Sequence, residues 1–330
     1  MKTLLYSKNS NIISKSGIGE AIRHQEKMLK GLSMDYTKDS KEDYDIIHIN
    51  TILPDSLRMS KQAKKENKKV VYYAHSTMED FRNSFIGSNL LAPLFKKWIS
   101  TCYNSADLII TPTEYSKKLL ETYGLNPPIY NLSNGVDTKF FKEDALAGKI
   151  FRDRYNIKKE EKVIISVGHF IERKGILDFI KVARDLPQYK FYWFGHTNLK
   201  IIPKKVRQAI ESHPANLYFP GYISPEELRQ VYCGGDLFLF MTHEETEGIV
   251  LLEALASKIP ILLRDIPIYS TWLEDGADVY KARGIEEFKI KIKNILNGEL
   301  PDLRQNAHKI ALKHDLKVVG EELLEIYKKI

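Results

Sequence analysis

The sequence predicts an α/β protein made of two doubly wound domains with parallel sheets. Two observations carry this expectation. Short β-branched or aromatic runs alternate with longer stretches of helical periodicity, the order that builds βαβ units. The runs also fall into two sets of five, divided by a charged stretch near 142–156 that has no strand pattern.

In the first half the strand-like runs are Thr3–Ser7, Asp45–Asn50, Val70–His75, Leu108–Thr113 and Ile129–Ser133. In the second half they are Val163–Val167, Phe191–Gly195, Leu217–Gly221, Leu237–Met241 and Ile261–Leu263. Apolar spacing predicts helices over Leu57–Lys69, Pro93–Asn104, Ser116–Tyr123, Ile176–Arg184 and Pro225–Cys233. The last segment, Leu303–Ile330, reads as one helix with Ile310, Leu316, Val319, Leu323, Leu324 and Tyr327 on its apolar side.

Composition narrows the class. A chain of 330 residues, 43% hydrophobic, has room for two domains with real cores. Cys102 and Cys233 show neither metal spacing nor a disulfide framework, which points to a reducing cytoplasm. Met1–Ser7 is too short an apolar run for a signal peptide, and no window reaches the roughly 18 apolar residues of a membrane span. The net charge is +7, and most of the excess lies in residues 1–150. Such a surplus suits an anionic membrane surface, a nucleotide or simple solvation. Basic residues interleaved with base-stacking aromatics are lacking, so nucleic acid is not an expected partner.

The stretch richest in chemistry is Glu245-Thr-Glu-Gly-Ile-Val-Leu-Leu-Glu253, between the run Leu237–Met241 and a small-residue helix pattern. A loop between a parallel strand and a helix N-terminus offers free amides and a favourable dipole to a phosphate. Two carboxylates flanking it suit a ligand with hydroxyls on either side of its phosphates. An exposed acidic loop fits the same letters. Gly168-His-Phe-Ile-Glu-Arg-Lys-Gly175 follows the strand Val163–Val167 and sets Arg173 and Lys174 before a helix, where two cations suit a diphosphate; a solvated pair is the plainer reading. Ser16-Gly17-Ile-Gly19-Glu20 fits either a close backbone approach to a ligand or a plain turn. His75 ends a strand, where it can bond a ligand hydroxyl or serve as a structural group. Asn134-Gly135 is a turn signal. Asp43-Tyr-Asp45 is a lone D-x-D at the wrong end of its strand for a ligand, and no metal is expected. The basic helix through Lys64-Lys65 and Lys68-Lys69, and the segment from Phe85 to Phe95-Lys-Lys-Trp98, fit either an interfacial helix on anionic lipid or an ordinary amphipathic helix facing a core.

Taken together these stretches resemble the retaining GT-B glycosyltransferases of the family 4 type, which use nucleotide-activated sugars. Gly17-Ile-Gly19, His75, Ala106–Thr113, Asn134-Gly-Val-Asp137, Arg173-Lys-Gly175, Gly221 and Glu245-x7-Glu253 occur in the family's order over nearly the whole chain. Phe170–Gly175 and His75–Phe81 look most like bacterial enzymes that add a second hexose to monoglucosyl-diacylglycerol. The resemblance implies two Rossmann-like domains facing across a cleft. Residues 1–150 would bind the acceptor and 151–309 the nucleotide-sugar, with the helix near 310–330 crossing back onto the first domain. It implies no cofactor, only a donor such as UDP-glucose or UDP-galactose. Glu253 would bond the ribose, and Glu245 and His75 the transferred sugar. Arg173 and Lys174 would take the departing diphosphate. Gly248, Ile249, Val250 and Leu251, with Gly17, Gly19 and Ile223, would complete the donor site. The enzyme would sit peripherally on the inner face of the cell membrane. Synthesis of capsule or wall polysaccharide is the alternative, and a UDP-sugar epimerase a more distant one. Two positions depart from the family: His169 stands where Arg is frequent, and Lys258 where Gly is common, leaving that turn open.

Overall fold

The computed structural model describes residues 1–7 and 16–330. Its strands form two six-stranded sheets with every neighbouring pair parallel. The first holds β1 (Thr3–Tyr6), β2 (Tyr36–Thr37), β3 (Ile46–Ile49), β4 (Lys69–Tyr73), β5 (Leu108–Thr111) and β6 (Ile129–Asn131), in the order β2-β1-β3-β4-β5-β6. The second holds β7 (Val163–Val167), β8 (Lys190–Phe194), β9 (Leu217–Gly221), β10 (Leu237–Phe240), β11 (Ile261–Arg264) and β12 (Tyr280–Ala282), in the order β12-β11-β10-β7-β8-β9. Most central strands are buried along their whole length, as sheets covered on both faces require. Apolar layers accordingly lie on each side of both sheets.

The helices of the first half are α1 (Gly17–Gly31), α2 (Pro54–Lys65), α3 (Met78–Phe81), α4 (Ser88–Tyr103) and α5 (Glu114–Glu121). Those that follow are α6 (Ala145–Arg154), α7 (Ile176–Asp185), α8 (Lys204–Glu211), α9 (Pro225–Gly234), α10 (Ile249–Ala256), α11 (Ile285–Leu296), α12 (Arg304–Lys313) and α13 (Leu316–Tyr327). The charged stretch near 142–156 is α6, started by Asp144 and lying with Gly148 against Cys233 and Gly234 of α9.

The ten expected strands are all present, and β2 and β12 are additional. These span two and three residues at sheet edges, too short for a periodic signal. The helix expected over Leu57–Lys69 instead begins at Pro54, a favoured first position, and stops at Lys65 because Lys69 already pairs with Ile46 in the sheet. The helix expected from Pro93 starts at Ser88 and carries Pro93 inside it. Lys258, the position where the turn was left open, itself adopts the left-handed conformation at φ +57°.

The C-terminal segment is two helices, not one. The break lies at His314–Asp315, where Asp315 accepts from the Lys317 amide at 2.9 Å and starts α13. There the chain meets the segment leaving β6: the Val136 amide donates to the His314 carbonyl at 2.9 Å, and the Leu316 amide to that of Val136 at 3.1 Å. Beyond the break α13 crosses to the first half. Leu316, Val319, Leu323 and Tyr327 are buried with Met28, Val71 and Ile110. The Tyr327 hydroxyl also pairs with Nδ1 of the fully buried His48.

Candidate active site

Strand order fixes where a ligand can bind. In open parallel sheets the crevice opens at the carboxyl ends of strands where the order reverses. The first sheet reverses between β1 and β3, the second between β7 and β10. Beyond these ends lie α1 with Gly17, the β4 end with His75, the β7 loop with Arg173 and Lys174, and the β10 loop with Glu245 and Gly248. All border one cavity of about 350 Å³ lined from both halves. Glu253, Ile249, Val250 and Ile223 line it as well. Gly19 and Leu251 do not: the Gly19 amide caps onto Ser16 Oγ inside the first turn of α1, and Leu251 is wholly buried in the core. The loop joining β1 to α1 lies outside the described residues.

The centre of the site is a charge cluster. Lys174 Nζ donates to Glu245 Oε1, and the carboxylate is 5% exposed, so the pair is held away from water. Arg173 Nη1 lies 3.9 Å from Glu245 Oε2. Burial pulls the Lys174 ammonium below its usual pKa, against the opposing pull of Glu245. Gly175, at φ +79°, closes the turn that carries both cations, and a Cβ there would run into the Met241 carbonyl. Arg173 Nη1 also donates to the Glu244 carbonyl of its own half at 2.7 Å and reaches across the cleft to Asp80 Oδ1 at 2.7 Å, while Nε donates across it to Ser84 Oγ at 3.2 Å.

The β10 loop turns into α10 at Gly248, whose φ is +92° and where a Cβ would press on the Phe240 ring at 3.3 Å. Leu251 and Leu252 donate back to the Gly248 carbonyl, leaving the amides of Ile249 and Val250 without an acceptor among the described residues. A helix start with free amides suits an anion. One turn further along α10, Glu253 accepts from Tyr232 at 3.0 Å, and burial raises its pKa well above the carboxylate range. His75 stacks on Tyr73, and burial pushes its pKa down to about 3. The amides of Gln25 and Asn50 pair with each other, making Asn50 Oδ1 the acceptor for His75 Nε2 at 2.8 Å. The neutral ring therefore keeps Nδ1 for other partners. His169 lines the cavity too, with Nδ1 3.0 Å from the His196 carbonyl and a pKa lowered by burial.

Several of these partners escaped sequence reasoning. Ser84, Tyr115 and Tyr232 act through contacts far apart in the chain, and no local spacing announces them; Asp80 and Asn134 lie in stretches named from the sequence, but their partners do not follow from it. Tyr115 donates to Glu244 at 2.9 Å, Thr113 Oγ1 to the Thr246 carbonyl at 2.9 Å, and Asn134 Nδ2 to Glu247 at 2.7 Å. The loop 244–247 is thus tied to the first half at three points. Burial lifts the Glu244 carboxyl to about 7.

Two surface segments named in the sequence have defined partners. Trp98 is half-buried against the first core and donates to the Ile52 carbonyl at 2.8 Å, so its indole is a structural anchor. The exposed apolar residues nearby are Phe85, Ile86, Leu90, Leu91 and Leu94. The D-x-D carboxylates are engaged elsewhere: Asp43 pairs with Lys68 at 2.6 Å, and Asp45 accepts from the Lys2 amide at 2.7 Å. Among the described residues no group of His, Cys, Asp and Glu is arranged to hold a metal, and no helix is long and apolar enough to cross a membrane.

The chain resembles known proteins in sequence and in fold. The family described as Glycosyl transferases group 1 matches residues 149–314, and Glycosyltransferase Family 4 matches 24–140. A processive diacylglycerol alpha-glucosyltransferase of Acholeplasma laidlawii is 39% identical, across all of this chain and 98% of that one. The chain belongs to the GT-B glycosyltransferases of the family 4 type. Alpha-galactosylglucosyldiacylglycerol synthase of Streptococcus pneumoniae is 26% identical to this glycosyltransferase over 97% of its length and 88% of that enzyme's. The fold recurs in Anabaena HepE, solved with UDP and glucose, at a TM-score of 0.80 and 14% identity over both whole chains. It recurs again in sucrose-phosphate synthase of Thermosynechococcus elongatus, at a TM-score of 0.81 and 15% identity over all of this chain and 98% of that one.

Proposed function

We propose that this glycosyltransferase moves glucose or galactose from a UDP-sugar to a membrane glycolipid, monoglucosyl-diacylglycerol, giving a dihexosyl-diacylglycerol with retention at the anomeric carbon. The observation that carries the reading is the Lys174–Glu245 pair beside Arg173, at the reversal point of the second sheet and facing His75 of the first half. Residues 151–309 bind the donor. Glu253 holds the ribose, the amides of Ile249 and Val250 meet the phosphates, and Glu245 and Nδ1 of His75 contact the sugar. Gly17 and Ile223 line the same cavity.

The anomeric C–O bond to the diphosphate breaks as the acceptor oxygen bonds to the same carbon from the face the diphosphate leaves. The acceptor's proton passes to a departing phosphate oxygen. The largest developing charge is on that diphosphate, and Arg173 and Lys174 are the cations held in the cavity to meet it. Their charge takes the role a metal would otherwise fill.

Residues 1–150 bind the acceptor. The glycolipid reading is supported by the names of the two relatives and by the exposed Phe85, Ile86, Leu90, Leu91 and Leu94 in a basic half. Exposed apolar side chains beside Lys96 and Lys97 suit an anionic lipid surface, on the inner face of the membrane. The test is a panel of radiolabelled nucleotide-sugars offered with monoglucosyl-diacylglycerol in detergent micelles, the product read by chromatography and anomeric coupling. An α-linked dihexosyl lipid from UDP-glucose or UDP-galactose is expected. Turnover of a soluble glycan instead, or interconversion of UDP-sugars without acceptor, overturns the reading.

A further inference from the structure

Asp80 lies in the His75–Phe81 stretch, which the sequence left without a role beyond His75, and it lines the cavity from the first half, five residues beyond His75. It sits in the short helix α3, where its amide donates to Thr77 Oγ1 at 3.0 Å. The next residue, Phe81, stacks on Phe95 of α4 at 4.1 Å between centroids. Helix α4 exposes Leu90, Leu91 and Leu94. One segment therefore runs from the exposed apolar surface to the charge cluster, and Asp80 stands at its inner end.

The carboxylate of Asp80 is bound to Arg173 Nη1 at 2.7 Å. Burial raises its pKa, and Arg173 and Lys174 oppose the rise. A diphosphate drawing on Arg173 competes with Asp80 for the same guanidinium, because both are anions and Nη1 already serves the Glu244 carbonyl as well. A carboxylate that loses its cation in a half-buried site needs another hydrogen-bond donor. Sugar hydroxyls are such donors, and two neighbouring hydroxyls of a hexose match the two oxygens of one carboxylate.

We infer that Asp80 is the acceptor-positioning residue: it gives up Arg173 to the donor diphosphate and takes hydrogen bonds from hydroxyls of the acceptor's sugar head. The inference rests on the donor reading given above. It specifies the acceptor as a lipid already carrying a hexose. It also orders the reaction, since the donor must claim Arg173 before Asp80 is free for the acceptor. Replacement by Asn is tolerable, because its amide oxygen still accepts from Arg173, which keeps Ser84 and the Glu244 carbonyl.

The test uses the full chain and two readouts. UDP affinity is measured by titration calorimetry, and kcat and KM for monoglucosyl-diacylglycerol are measured in micelles. Asp80→Asn is expected to bind UDP about threefold or more tightly, since a competing anion is gone, while kcat/KM for the acceptor falls about thirtyfold or more. A merely structural loss would weaken both together. Asp80→Glu keeps the charge and shifts its position, so it should leave UDP affinity near normal and still lower acceptor kcat/KM; it also gives the answer if the Asn variant does not fold. Unchanged acceptor kcat/KM in the folded variants, with UDP still bound by the wild type, overturns the assignment of Asp80 alone. A wild-type protein that does not bind UDP overturns the donor reading and this inference with it.

Discussion

Lys174→Ala separates catalysis from packing at the centre of the site. The side chain of Lys174 is 16% exposed and its ammonium is committed to Glu245. During transfer the diphosphate acquires charge beside it. Losing one such fixed partner costs about 10²- to 10³-fold in kcat, or roughly 3–4 kcal/mol of barrier. The folded state suffers less. Glu245 keeps Arg173 at 3.9 Å and Thr242 Oγ1 at 3.4 Å, and truncation also removes a buried ammonium whose pKa burial already depresses. A broken buried pair costs about 3–5 kcal/mol when nothing replaces the partner, so with Arg173 present about 1–3 kcal/mol is expected here. Initial rates at saturating UDP-sugar and acceptor read the first quantity, and denaturant unfolding reads the second. Glu245→Ala should lose turnover on the same scale. Near-normal kcat in both folded variants would refute the assignment of these two residues.

Other outcomes follow from named contacts. Glu253→Ala should weaken UDP binding by about 10-fold, the worth of one or two hydrogen bonds at a carboxyl whose raised pKa favours the neutral form, with kcat changed less; calorimetry reads this. His48 is wholly buried and its pKa is pushed down to about 3 by burial, so the fold favours the neutral ring. Its share of stability is present above the unfolded pKa of about 6.5 and is lost as pH falls, by about 2 kcal/mol between pH 7 and pH 5; unfolding curves of His48→Phe should lack that share of acid sensitivity. Lys258→Gly relieves a left-handed non-glycine worth roughly 1–2 kcal/mol and returns part of it as chain entropy, so a gain of about 0.5–1 kcal/mol in denaturant unfolding is expected. Leu90→Ser with Leu94→Ser should reduce sedimentation with anionic vesicles at unchanged stability, whereas Trp98→Ala should chiefly destabilise, by about 1–2 kcal/mol, because it removes a half-buried ring packed on the first core and its bond to the Ile52 carbonyl.

Much of this fold was legible from local pattern. Buried parallel strands are continuous apolar runs, and their reading along the chain matched the two sheets except for β2 and β12, which are too short to have a period. Helix ends were less legible where a start depends on a single residue, as at Pro54, or a stop on a strand that begins early, as at Lys69. The break at His314–Asp315 was invisible because its cause is Val136, far away in sequence. At the site, strand ends and glycines brought Arg173, Lys174, Glu245 and Gly248 to one cavity in the way parallel sheets dictate. Asp80, Tyr232 and the Asn134–Glu247 contact were illegible, since each exists only once two distant segments meet.

The meeting of Val136 with His314 and Leu316 has a mechanical consequence. A single tether lets two bodies twist, slide and swing. Here the outgoing and returning chains are stitched together at one crossing, which works as a pin. Two chains bonded to each other resist twisting and sliding at the crossing more than a lone linker would, so the joint restricts how the two halves can shift relative to each other.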